Sequence, residues 1–152
     1  MLLRHMSDII SKLKNPKECT NLEKNALDRG HTELALQARR RAIEMRAQAH
    51  GATTQAEREC LEAVYAYERV LSDQRRKTIR ASRTWQMIKR HGIIGAVERA
   101  VNRPTETSGY RALVEKGLEQ FAFEAVILRH PQVFSAEAVE CSRQRVIDNA
   151  TA

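Results

Sequence analysis

The side chains in this sequence best suited to chemistry are the cations of one stretch, residues 74–97, which contains no acidic residue. They are Arg75, Arg76, Lys77, Arg80, Arg83, Lys89 and Arg90. Their combined charge matches the formal net charge of the whole chain, +7, so the remaining residues are close to charge-balanced. Positive charge concentrated in this way is typical of a surface that binds a polyanion. We call residues 74–97 the basic run.

The spacing within the basic run separates two groups of side chains. With about 3.6 residues per helical turn, positions three, four and seven apart share a face. One such face, which we call the ridge, consists of Arg83, Gln86 and Arg90, with Lys89 beside them. Arg and Gln can form paired hydrogen bonds with guanine and adenine in the DNA major groove. The preceding group, Arg75, Arg76, Lys77 and Arg80, is suited to phosphates, which position a protein without reading base sequence.

These two groups predict nucleic-acid binding, with duplex DNA favoured over RNA. Aromatic residues, which stack on unpaired bases, make up only 5% of the chain. Trp85 is expected in the core with Ile88, opposite the ridge. Two alternatives stay open: a helical adaptor whose basic surface meets an acidic protein partner, and an enzyme or subunit that processes nucleic acid. A solvated basic surface without a specific ligand, and a homo-oligomer, are also compatible with the sequence.

The helical segments on either side of Gly92 have a spacing similar to that of a helix-turn-helix motif. In that motif the second helix normally contacts the bases. Here the second segment offers few suitable side chains, namely Arg99, Asn102 and Arg103. We therefore favour an ordinary corner between two helices.

A second basic cluster, Arg39, Arg40, Arg41 and Arg46, lies on another predicted helix. Three consecutive arginines spread over most of a helical turn, so they cannot all contact one ligand. We expect at least one of them to pair with a carboxylate, and we regard a phosphate role as the less favoured interpretation.

Catalytic residues are not indicated by the sequence. Glu124 is the most unusual acid, because it lies in an apolar segment, and a buried carboxylate can mark a site. The more ordinary expectation for Glu124 is an ion pair with an arginine such as Arg129 or Arg111. The three cysteines lack metal-ligand spacing, and no phosphate-binding glycine loop is present. We predict no metal and no cofactor, and we favour a role without enzymatic activity.

Composition and helix signals predict an all-α protein, because Gly (6) and Pro (3) are scarce and charged residues reach 30%. We expect a compact bundle of about eight short helices, with an N-terminal αα-hairpin followed by a C-terminal helical bundle. The predicted segments are residues 8–13 (capped by Ser7), 16–29, 33–50, 55–73, 82–91, 93–102, 109–116 (capped by Ser108), 118–129 and 136–148. Residues 118–129 are apolar on nearly every side, which indicates a central buried helix, with a buried strand as the alternative.

We predict a single domain over residues 1–152, with a weak internal boundary near residues 77–81. No apolar run approaches the roughly 20 residues that cross a bilayer, so no membrane partner is expected. Three widely spaced cysteines are typical of reduced thiols, and we expect a cytoplasmic location.

Overall fold

The computed structural model describes residues 2–103 and 108–150. Within these ranges it contains eight α-helices, one short 3₁₀ turn and no strand, which confirms the all-α prediction. The helices are α1 (Leu2–Ser11), α2 (Pro16–Asp28), α3 (Thr32–Ala49), α4 (Gln55–Arg75), α5 (Ser82–Val101), α6 (Ser108–Glu115), α7 (Phe123–Arg129) and α8 (Ala136–Ala150). None of the described helices is both long and apolar enough to span a membrane.

The chain divides into two compact units, Met1–Gly51 and Ala52–Ala152. Residues 77–81, where the sequence indicates a weak boundary, belong to the second of these units. The prediction that the whole chain acts as one domain stays a prediction.

The first unit is built around the predicted αα-hairpin of α2 and α3. Helix α2 begins where expected: Pro16 is its first residue, and the Asn15 side chain accepts a hydrogen bond from the Glu18 N–H at 2.9 Å. Helix α3 differs slightly, because Thr32 is its first residue rather than its cap. The two helices bury mostly small residues against each other, namely Cys19 and Ala26 from α2 and Ala35, Ala38, Ala42, Ile43 and Ala47 from α3.

The second unit packs α5, α7 and α8 with α4 around one apolar core. Helix α4 starts at the predicted cap, since the Thr54 side chain accepts a hydrogen bond from the Glu57 N–H at 3.1 Å. The buried side chains of this core are Cys60, Ala63, Val97, Val101, Val126, Ile127, Phe134 and Ala138. Aliphatic residues therefore form most of it, as expected from the low aromatic content.

Helix α5 is interrupted at Gly92, as the sequence predicts. Gly92 has φ 78° and ψ 170°, a backbone conformation that residues with a Cβ rarely adopt. The residues before it carry the ridge, whereas Ala96, Val97 and Val101 after it are buried. The kink at Gly92 thus separates the first half of α5, which carries the exposed ridge, from the second half, which packs into the core.

The prediction of one helix over residues 118–129 is wrong. Residues Glu119–Phe121 form a 3₁₀ turn, Ala122 is extended (φ −71°, ψ 147°), and α7 begins only at Phe123. The Ala122 carbonyl accepts the first hydrogen bond of α7, from the Val126 N–H at 3.1 Å. The break carries no Gly, Pro or polar cap. A uniformly apolar segment gives no periodic signal at such a point, and tertiary packing decides it. The strand alternative is also wrong, because none of these residues forms a strand.

Candidate nucleic-acid interface

The predicted side chains lie on three consecutive elements of the second unit: the end of α4, the connection formed by residues 76–81, and the first half of α5. All of them are exposed. Arg75 is the last residue of α4, Arg76 caps that helix, Lys77 and Arg80 lie in the connection, and the ridge lies on α5. The structure therefore places both groups of the basic run at the surface.

The end of α4 has an unusual backbone. Arg76 adopts the left-handed conformation (φ 54°, ψ 32°), the one non-glycine residue with positive φ in the described part of the chain. Its N–H and that of Lys77 both donate to the Ser72 carbonyl, the latter at 3.3 Å. A left-handed residue commonly ends a helix in this way, but the position usually holds Gly. The turn therefore displays Arg76 at some cost in conformational energy.

One acid, Glu68 of α4, holds the connection in place. A single carboxylate oxygen, Oε2, accepts hydrogen bonds from the Ala81 backbone N–H at 2.7 Å and the Trp85 indole N–H at 2.8 Å. Arg80 lies 4.0 Å from the same oxygen, while the Glu68 side chain is only 12% exposed. The basic run has no acid of its own, so its negative partner comes from the preceding helix.

Ser72 provides a second attachment for the connection. Its hydroxyl donates to the Glu68 carbonyl at 2.7 Å and accepts from the Ile79 N–H at 2.9 Å. The connection is thus hydrogen-bonded near its middle and at its end. Sequence reasoning missed both Glu68 and Ser72, because partners 7, 13 and 17 residues away leave no periodic pattern.

Trp85 is less deeply placed than the sequence indicates. It is half-buried against α4 and does not belong to the apolar core. Its ring centroid lies 5.3 Å from that of Tyr65 at an interplanar angle of 54°, and the Arg80 guanidinium lies over it at 5.8 Å. Such a distance is within the range of a cation–π contact. Trp85 therefore fixes the start of α5 to α4 and positions Arg80 at the same time.

A cavity of about 280 Å³ lies beside the ridge. Arg83 lines it together with Thr84 and Met87 of the same helix, so Arg83 belongs both to the ridge and to the cavity wall. The opposite walls come from α4, α6, the 3₁₀ turn and the start of α7, and they include Tyr67, Tyr110, Phe121 and Phe123. Burial raises the pKa of the Tyr110 hydroxyl, with smaller contributions from Glu124 and Glu119.

Glu124 is buried, as the sequence indicates, at 3% exposure, but its predicted partner is wrong. It binds Arg145 of α8, with Nη1 to Oε1 at 2.9 Å, rather than Arg129 or Arg111. Arg145 also donates to the Val101 carbonyl at 3.0 Å. The ion pair therefore joins α7 and α8 to the end of α5, which is a structural role. Among the described residues, no group of three or more His, Cys, Asp or Glu is arranged to hold a metal ion.

Arg129 and His130 bind a different acid, Glu59 of α4. The Arg129 Nε lies 2.6 Å from Glu59 Oε1, and the His130 ring contacts Oε2. Burial is the largest influence on the pKa of Glu59 and raises it. The hydrogen bonds from His130 and Arg129, with the charge of Arg129, outweigh burial, so the pKa of Glu59 is lowered overall. This cluster ties the C-terminal end of α7 to α4.

In the first unit, the second basic cluster is partly neutralised. The Arg39 guanidinium pairs with the buried Glu23 carboxylate at 2.8 Å, and Arg41 pairs with Glu44 at 3.3 Å. The prediction that at least one of these arginines pairs with a carboxylate is confirmed. This cluster offers less uncommitted charge to a ligand than the basic run does.

The three cysteines are free thiols in different surroundings. Cys19 and Cys60 are fully buried, and Cys141 is half-buried. Burial is the main reason that the pKa of Cys60 is raised to about 12, and it also raises the pKa of Cys19. The two buried thiols are therefore protected from thiolate chemistry at neutral pH.

Comparisons of the chain with protein-family models, with curated proteins and with solved structures give no match.

Proposed function

We propose that the second unit binds nucleic acid through the phosphates that contact its basic run. The observation that carries this proposal is the display of the cations. Arg75, Arg76, Lys77, Arg83, Lys89 and Arg90 are all exposed, and in the described part of the chain no carboxylate lies within ion-pair distance of any of them. A dense, uncompensated positive surface releases counterions from a polyanion, which is the main source of non-specific nucleic-acid affinity.

The geometry also supports a division of labour within the basic run. The cations at the end of α4 and in the connection are held by backbone hydrogen bonds and by Glu68, and such fixed cations suit phosphates. The ridge lies on an exposed helical face, where Gln86 and Arg90 have the side chains that contact base edges in a major groove. We therefore propose that the bound nucleic acid is mainly double-stranded.

The proposal is tested by measuring affinity across a salt series with fully paired DNA, single-stranded DNA and RNA. Replacing Arg75, Arg76 and Lys77 together with Ala should weaken binding to every sequence. It should also reduce the log–log salt slope by about 0.9 for each phosphate that the protein no longer neutralises. The matched control replaces Lys12, Lys14 and Lys17, which are exposed on the first unit and remove the same formal charge. The control should leave the slope nearly unchanged.

A second series separates base contacts from phosphate contacts. If the ridge contacts base edges, Gln86→Ala should weaken the binding free energy by about 1–3 kcal/mol at preferred sequences and by little at other sequences. Absence of binding to any nucleic acid at low salt would overturn the proposed function. It would leave the acidic protein partner as the better explanation of the exposed cations.

A further inference from the structure

The cavity beside Arg83 gathers most of the aromatic side chains in the protein. The chain has seven aromatic residues (one Trp, three Tyr and three Phe), and four of them line this single cavity: Tyr67, Tyr110, Phe121 and Phe123. Aromatic residues are too few overall to form an extended stacking surface. Their concentration in one place nevertheless provides several ring faces for one planar group.

The size of the cavity limits its occupant to a small group. About 280 Å³ lies at the lower end of the range of ligand pockets, which suits one planar ring system rather than a large ligand. Gly109 contributes to the open wall, because a Cβ there would meet the Tyr67 ring at 3.2 Å. Because Gly109 has no side chain, the Tyr67 ring can occupy its position in the cavity wall without a close contact.

The charges around the cavity favour an anionic ligand. Arg83 and Arg103 both line it and both are exposed, and the Arg103 Nη2 lies 3.6 Å from the Met87 sulfur. Among the described residues of the wall the one acid is Glu124, and it is bonded to Arg145, which offsets its charge. The described part of the wall thus combines aromatic rings with two exposed arginines, which matches a planar base attached to a phosphate.

Arg83 connects this cavity with the basic run. On α5 it lies one turn before Met87 of the cavity wall and three residues before Gln86 of the ridge. A nucleic-acid strand that follows the ridge therefore lies next to the part of the cavity wall that Arg83 forms. We propose that the cavity receives one unpaired base of a nucleic acid bound to the basic run, with Arg83 on the phosphate of that nucleotide. This inference rests on the proposed function. It specifies that the preferred ligand is a duplex that contains an unpaired nucleotide rather than a fully paired duplex.

The test compares a fully paired DNA duplex with the same duplex carrying a single unpaired base, using fluorescence anisotropy at fixed salt. The wild-type protein should bind the second duplex about fivefold to about 150-fold more tightly, which corresponds to the stacking of one base on aromatic side chains. Ala100→Phe adds a ring inside the cavity and should abolish this preference, while leaving the affinity for the paired duplex unchanged. Ala136→Phe adds the same ring at an exposed position outside the cavity and should leave the preference intact.

A second variant keeps the test decisive if Ala100→Phe fails to fold, as judged by circular dichroism. Tyr110→Leu retains an apolar side chain but removes one ring, and it should reduce the preference without changing the salt slope. Equal affinity of the wild type for the two duplexes, or an unchanged preference in both cavity variants, would overturn the inference and leave the proposed function standing. Absence of binding to either duplex would instead overturn the proposed function itself.

Discussion

Replacing Glu68 with Ala should destabilise the protein through the connection between α4 and α5. The substitution removes the acceptor of two short hydrogen bonds, from the Ala81 N–H (2.7 Å) and the Trp85 indole N–H (2.8 Å). A hydrogen bond to a charged group contributes about 1.5–3 kcal/mol. Ala81 is buried, so its N–H loses this bond without replacement, whereas the half-buried Trp85 N–H can turn to water. The ion pair between exposed Arg80 and Glu68 contributes little to the free energy of unfolding. We therefore expect the free energy of unfolding to fall by about 2–4 kcal/mol.

The assay is urea unfolding followed by circular dichroism and by tryptophan fluorescence. Trp85 is the one tryptophan of the chain and itself binds Glu68, so its emission reports directly on this interaction. Glu68→Gln keeps one side-chain carbonyl and should lose less stability than Glu68→Ala. Glu115→Ala removes an exposed carboxylate from another helix and should change stability by less than about 0.5 kcal/mol. If Glu68→Ala cost no more than this control, the hydrogen bonds of Glu68 would not hold the connection.

The same variant separates positioning from net charge in the proposed binding. Glu68→Ala makes the protein more positive, so long-range electrostatics alone would increase its affinity for nucleic acid. If the Glu68 carboxylate positions the cations of the basic run, affinity should instead decrease. The sign of the change in affinity therefore distinguishes the two explanations. An increase in affinity would show that binding does not depend on a fixed conformation of the connection.

Three further predictions concern backbone strain, thiol reactivity and pH. Arg76→Gly should stabilise the protein by up to about 1 kcal/mol in urea unfolding, because Gly adopts positive φ without strain, whereas Arg75→Gly within α4 should destabilise it. In a thiol-labelling assay the native protein should react quickly at Cys141 alone, and Cys141→Ser should remove that reaction; fast labelling of a second thiol would contradict the burial of the other two. The pKa of Glu59 is lower in the folded protein than its ordinary value of 4.5, so ionised Glu59 stabilises the fold at pH values above 4.5. This contribution is lost as the pH falls through the folded-state pKa. Glu59→Gln should accordingly flatten the acid limb of the stability–pH curve, and an unchanged limb would count against the cluster.

Local signals in the sequence predict much of the fold. Asn15 and Thr54 form the expected caps, and Gly30, Gly51 and Gly92 have the positive φ that a helix stop or kink requires. These features succeed because capping and left-handed turns depend on a few adjacent residues. The αα-hairpin of the first unit follows from two such helices joined by a short turn.

The failures arise where distant contacts decide the structure. The break at Ala122 has no local marker, because an apolar segment can be packed as one helix or as two short pieces. Glu124 pairs with Arg145, 21 residues away, although Arg129 is nearer in sequence and also basic. The exposed positions of the ridge could be predicted from helical periodicity, but the cavity could not. Its aromatic side chains come from positions as far apart as Tyr67 and Phe123.

The dependence of the connection on Glu68 and Ser72 determines how much of this surface can be transplanted. A peptide of residues 74–97 carries every cation of the basic run, but it lacks both side chains that bind the connection and the Tyr65 ring that packs on Trp85. Grafted alone onto another scaffold, it would keep its charge and lose its shape. The smallest portable piece therefore starts within α4 at Tyr65 and includes the acid that makes an otherwise acid-free segment adopt one conformation.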